Sequence, residues 1–154
     1  MKRFRPSDKG VYVLIMSKKD NSTVRFGCKR SYDFPAGWYG YAGSAMGGLA
    51  GRLRHHCRIS SRPHWHIDRL RPHVTLTGIV CAITESRIEC NISRNMSEIL
   101  NPVDGFGASD CGCRSHLYYH VKREIVEDAV FGAFESTRTH AFMVQCSDIV
   151  SHEE

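Results

Sequence analysis

Long apolar stretches are missing from this 154-residue sequence, and their absence excludes the most. Its longest apolar run, Val11 to Met16, falls far short of the roughly 20 residues a membrane-spanning helix needs, so no membrane association is expected. The start, Met-Lys-Arg-Phe-Arg-Pro, runs into a polar stretch without an apolar h-region, so no secretory leader is expected either. There is no internal repeat, no low-complexity tract and no Pro/Ser-rich linker, which argues against a solenoid or a two-domain chain. The length suits one domain around one core. Cysteine is present 7 times, an odd number. With no leader, that predicts thiols that are free or metal-bound, and with them a reducing, cytoplasmic location.

Charge is plentiful but unevenly placed. Residues 1–73 carry 15 Lys/Arg against 4 Asp, whereas residues 74–154 carry 6 Lys/Arg against 12 Asp/Glu. A basic half can attract a polyanion and an acidic half can hold a metal, although an unevenly charged solvated surface would give the same count.

The pattern along the chain predicts an α+β fold: a small mixed, mainly antiparallel sheet flanked by helices. Gly10-Val-Tyr-Val-Leu-Ile-Met16 reads as a buried strand, and Thr23-Val-Arg-Phe26 as its hairpin partner. Trp38-Tyr-Gly-Tyr-Ala-Gly43 is a third strand. A helix follows from about Leu49 to Arg58, with Leu49, Leu53 and Cys57 stacked at i, i+4 spacing. Pro63 suits the first turn of a second helix ending at Leu70. Val74 to Ile83 is a strand, Ser86 to Leu100 a helix, Leu117 to Val121 a short strand and Arg123 to Ser136 a last helix before a weakly structured tail. Residues 1–122 form the main body of the domain, and 123–154 extend it.

The residues that suggest chemistry begin with Gly10-Val11-Tyr12 and Tyr41-Ala42-Gly43 on two of these strands. A Gly43-Ser-Ala45 turn and the pair Gly47-Gly48 then lead into the helix carrying Arg52 and His56, four residues apart and so on one side. Arg54 and Arg58 add a further cationic edge. Taken singly, each tripeptide is weak, because aromatics in strands usually pack a core.

In order and spacing, these segments resemble the GIY-YIG nuclease superfamily. The sequence is similar in particular to its small stand-alone Uri-type endonucleases. That likeness rests on Pro35-Ala-Gly-x-Tyr39, the Gly-Ser-Ala turn, the Arg/His helix, His64-Trp-His-Ile-Asp68, Glu89-Cys90 and the run from Phe106 to Leu117. It spans roughly Lys9 to Tyr119. The resemblance implies a GIY-YIG-like fold and metal-dependent hydrolysis of DNA, including branched or damaged DNA. It implies that Tyr12 or Tyr41 activates water, that Arg52 stabilises the phosphate, and that Glu89 holds one Mg²⁺ or Mn²⁺ ion. His56 becomes a second base or phosphate contact, with Ser44, Arg54 and Arg58 as nucleic-acid contacts. His66, Asp110 and His116 are expected to line the cleft. A phenol titrates near 10, so a tyrosine base needs a neighbouring cation. A guanidinium fork suits a phosphate, and a carboxylate suits a hard cation.

The sequence departs from that pattern at Ser44, where a lysine is common in the superfamily, at His55, often an arginine in this branch, and at Arg69, in place of a tyrosine. Other readings stay open. Ser86-Arg-Ile-Glu89 fits a helix capping box, and one carboxylate cannot easily both cap and ligate. His64 and Asp68 fit a surface pair, and Trp65 either a core anchor or a base-stacking platform. Cys111, Cys113 and His116, with Cys90 as a fourth ligand, fit a structural zinc site, although Cys-x-Cys is not the usual spacing. Cys28, Cys57, Cys81 and Cys146 read as small core residues. The alternatives to a nuclease are a non-catalytic nucleic-acid-binding module of the same fold and a Cys/His zinc protein.

Overall fold

The computed structural model describes residues 4–26, 30–107 and 112–150. Its centre is β1 (Gly10–Lys18), buried along nearly its whole length. Successive side chains of a strand face opposite ways, so an all-apolar strand needs cover on both sides. It has it. Tyr12, Leu14 and Met16 enter one core cluster, while Val11, Val13 and Ile15 enter another.

β1 lies between β4 (Gly37–Ala45) and β5 (Thr75–Ile83), antiparallel to both. β7 (Leu117–His120) pairs with β4, the two-residue β6 (Asn101–Pro102) pairs with β7, and β8 (Phe142–Val144) pairs with β5. The sheet order is therefore β6-β7-β4-β1-β5-β8, with every described pairing antiparallel. This is the α+β architecture the sequence pattern predicts.

One face is covered by α3 (Glu89–Met96) and α4 (Arg123–Ser136). α4 buries Val126, Ala129, Val130, Ala133 and Phe134, the i, i+3, i+4 stripe of an amphipathic helix. The other face is covered by α1 (Leu49–Cys57), α2 (His66–Leu70), the terminal α5 (Cys146–Val150) and a separate ribbon of β2 (Ser22–Phe26) and β3 (Arg30–Phe34). The ribbon contributes Phe26, Tyr32 and Phe34, which meet Phe106 edge-to-face with ring centroids 5.5 to 6.1 Å apart. Such offset geometry is the one aromatic quadrupoles favour.

Several expectations need correcting. β2 pairs with β3 and not with β1, whose two edges are taken by β4 and β5. α2 starts at His66 and leaves Pro63 outside, because the Asp68 carboxylate accepts the amides of His64 and Trp65 and holds Trp65 extended. α3 starts at Glu89 instead of Ser86 and stops at Met96. The tail carries regular structure as far as residue 150: β8 completes an edge of the sheet and α5 follows it. Cys57 and Cys146, expected as core thiols, form a disulfide between α1 and α5, their Cα atoms 5.6 Å apart. Cys28 lies outside the described residues. No described helix is long and apolar enough to cross a membrane.

Candidate active site

Register brings the two motif tyrosines together. Tyr12 on β1 sits directly opposite Gly43 on β4, so Tyr41, two residues back along β4, shares its face as a diagonal neighbour. The glycines of both motifs have steric reasons. A Cβ on Gly43 would stand 2.4 Å from the Tyr12 hydroxyl, and one on Gly10 would stand 2.3 Å from the Ala82 carbonyl oxygen. Gly43 thus makes room for the phenol, and Gly10 lets β1 and β5 close up.

Beyond β4 the chain turns at Gly48 (φ 137°) into α1, which projects Arg52 and His56 back over the strand ends. The result is a cavity of about 250 Å³ lined by Tyr12, Tyr41, Ser44, Arg52, His56, Trp65 and Glu89, floored by Gly43, Ile67 and Gly107. Five groups expected from sequence to carry chemistry, Tyr12, Tyr41, Arg52, His56 and Glu89, therefore meet in one place, with Ser44 beside them. A larger groove of 390 Å³ beside the ribbon offers one carboxylate, Asp33, already engaged by Thr23 at 2.6 Å.

Each side chain is held. Arg52 donates to the Ser44 carbonyl oxygen at 2.9 Å and lies over the Trp65 ring, 4.4 Å from its centroid. That cation–π contact leaves the rest of the guanidinium fork for a ligand. The Tyr12 oxygen is 2.7 Å from His56 Nε2 and also accepts from Arg52. Burial, countered only in part by Arg52, pushes the Tyr12 phenol up to about 12. Burial also raises Tyr41, which makes no side-chain hydrogen bond among the described residues and packs against Phe106. Burial, with the charges of His55, Arg52 and Arg71, lowers His56 to about 3, so its imidazole is neutral at pH 7. His56 Nδ1 is buried without a hydrogen-bond partner among the described residues.

Glu89 opens α3. Burial would raise its carboxyl, but hydrogen bonds from His116 and Ser44, together with the charges of His116 and Arg52, outweigh that and hold it below the usual range. His116 Nδ1 lies 2.5 Å from Glu89 Oε2. The capping-box alternative thus fails, because this carboxylate reaches across to Ser44 and His116 and not back to its own helix start.

Other expectations land elsewhere. His116 is buried behind Glu89 and does not line the cavity. His66 is exposed and stacks edge-on against Phe26 and Phe106, away from the cavity. Arg54 faces a groove with Phe4, Pro6 and Ile149, and Arg58 is exposed beyond the end of α1, so neither joins the cavity. Asp110 and Cys111 lie outside the described residues. Asp68, read from sequence as half of a surface pair with His64, is buried and receives His55 Nε2 at 2.8 Å and the His64 and Trp65 amides at 2.9 and 3.0 Å. It fixes the turn that presents Trp65 to Arg52. The run His64-Trp-His-Ile-Asp68 carried that signal; the partner His55, 13 residues away, did not show.

The cavity's chemistry suits a hard divalent cation. Its candidate ligands are oxygen atoms, the Glu89 carboxylate, the Ser44 hydroxyl and two phenols, and no sulfur lines it. Magnesium is commonly held by one or two carboxylates while keeping several waters.

Fold and cavity together define a small α+β domain with phenols, a guanidinium and an ionised carboxylate gathered at the end of its central strands. The chain belongs to the family described as domain of unknown function DUF123, whose model matches residues 11–139. No curated protein and no solved structure matches it.

Proposed function

We propose that this chain is a metal-dependent endonuclease that hydrolyses phosphodiester bonds in DNA, as its resemblance to GIY-YIG nucleases implies. The observation that carries the reading is the convergence of Tyr12, Tyr41, Arg52, His56 and Glu89 on one cavity from four separate elements. The basic first half of the chain supports a polyanionic substrate.

Arg52, fixed between Trp65 and the Ser44 carbonyl, donates to a non-bridging phosphate oxygen and stabilises the charge that builds there. Tyr12 is the better base of the two phenols because Arg52 stands at its oxygen and stabilises the phenolate that takes the proton from water. His56 Nε2, 2.7 Å away, holds that oxygen in place. The cationic Arg52 beside that oxygen offsets the burial that makes the phenol a weak acid. Tyr41, on the same face, orients the water or the leaving oxygen. Glu89 would hold Mg²⁺ or Mn²⁺, which supplies Lewis-acid stabilisation of the phosphate when bound.

The test is cleavage of supercoiled, single-stranded and branched DNA in Mg²⁺ and Mn²⁺. Wild type should nick at least one substrate, and Tyr12→Phe, Arg52→Ala and Glu89→Ala should each lose about 10²–10⁴-fold while still folded. Salt-sensitive binding without turnover in either metal would instead leave a nucleic-acid-binding module.

A further inference from the structure

Behind the cavity wall stands a second donor set of different chemistry. Cys90 is the second residue of α3, Cys113 lies in the loop before β7, and His116 immediately precedes β7. Their ligating atoms all lie within 4.8 Å of one another. None of the three lines the catalytic cavity.

We infer that Cys90, Cys113 and His116 bind one zinc ion, separate from the hard-cation position at Glu89. Two sulfurs and an imidazole are borderline-soft ligands, which select zinc over magnesium. Zinc bonds of about 2.0–2.3 Å place tetrahedral ligands roughly 3.3–3.8 Å apart, so the observed cluster closes on an ion with side-chain shifts of about 1 Å. His116 supplies the stronger argument. Zinc-bound histidines usually give their other ring nitrogen to a carboxylate, which fixes the tautomer and raises the basicity of the ligating atom. Here Nδ1 is at the Glu89 carboxylate, so Nε2 would be the ligating atom. Both thiols are half-buried and His116 is 3% exposed, the partial shielding a structural ion needs.

The ion would tie the start of α3 to the segment 112–116, which is otherwise joined to the domain by pairs such as His116 N–H to the Phe106 carbonyl and Gly105 N–H to the Arg114 carbonyl. Through His116 it would also set the direction of Glu89, one residue before Cys90. Three protein ligands leave a fourth tetrahedral position for water or a further side chain.

The inference stands apart from the nuclease reading, and metal content tests it without an activity assay. Full-length protein made in zinc-supplemented medium and gel-filtered should retain one zinc per chain. Cobalt(II) added to metal-stripped protein should give a thiolate-to-cobalt charge-transfer band with intense tetrahedral d–d absorption. Cys90→Ser and Cys113→Ser should abolish both signals, and Glu89→Gln should weaken zinc affinity by about 10–100-fold without removing the band. Wild-type protein that retains no zinc and gives no cobalt band overturns the site. So does metal that survives the Cys90→Ser/Cys113→Ser double variant. Should the serine variants not fold, the wild-type cobalt spectrum alone decides, since an ion held only by oxygen atoms gives no thiolate band.

Discussion

At the residue scale, the Tyr12–His56 pair carries two predictions. Tyr12→Phe keeps the ring in its packed position and deletes the hydroxyl that meets His56 at 2.7 Å. Leaving His56 Nε2 without its partner should cost about 1–3 kcal/mol, visible as a lower urea midpoint with an unchanged m-value. The second prediction concerns pH. His56 is held near 3 in the fold, whereas an unfolded histidine titrates near 6.5. Below about 6.5 the unfolded chain takes up a proton that the native imidazole refuses, so stability falls as pH drops from there towards 3. Between pH 7 and pH 5 the loss from this residue is about 2 kcal/mol. His56→Gln should therefore flatten the pH dependence of unfolding by that amount, and an unfolding free energy from urea titrations that falls equally between pH 7 and pH 5 in wild type and variant would refute it. Glu89 acts in the same direction at lower pH, since a depressed carboxyl stabilises above its unfolded pKa and stops doing so as pH falls through its folded one. The side chains of this site were legible one by one in the sequence, but their pairings were not. His116 was readable as a cleft residue, yet its contact is with Glu89 from behind.

At the element scale, the close approach of β1 and β4 governs the site. Gly43→Ala places a methyl group 2.4 Å from the Tyr12 oxygen, and the obstacle is a ring end already wedged against His56. The phenol must swing away, so the variant should lose about 1–3 kcal/mol of stability and most of the proposed DNA cleavage. Ala42→Val, on the opposite face of the same strand, points into the other core and should leave cleavage less affected at equal stability loss. Comparing the two by thermal melting and nicking rate separates overpacking from damage to the site. Most elements follow from pattern: β1 from its continuous apolar run, although it extends two residues past Met16, and α4, whose boundaries match the predicted Arg123 to Ser136. β3 and β8 were missed because five- and three-residue strands carry too few periods of alternation to stand out. Whether β2 pairs with β1 or β3 is a competition for edges, and that depends on β5, some 50 residues later.

At the scale of the whole molecule, the Cys57–Cys146 disulfide closes a loop of 89 residues and ties the final helix to the helix bearing Arg52 and His56. Cys146→Ser, or reduction of the wild type, should lower stability by about 2–4 kcal/mol, measured as a drop in the urea midpoint relative to the oxidised wild type. Equal midpoints for oxidised and reduced protein would mean the tie adds nothing. Because Cys57 follows His56 directly, nicking activity should fall with it if α1 loosens. The odd cysteine count argued for free thiols, and two of the seven depart from it.

The sequence by itself determined the class of fold, the central strands and the identity of the titratable groups gathered at the cavity, because those follow from local periodicity and side-chain chemistry. Only the tertiary structure decided which side chains pair: Tyr12 with His56, Glu89 with His116, Cys57 with Cys146. Each of these pairs spans more than 20 residues. Contacts at that separation are set by register and by the packing of whole elements, which no local pattern encodes.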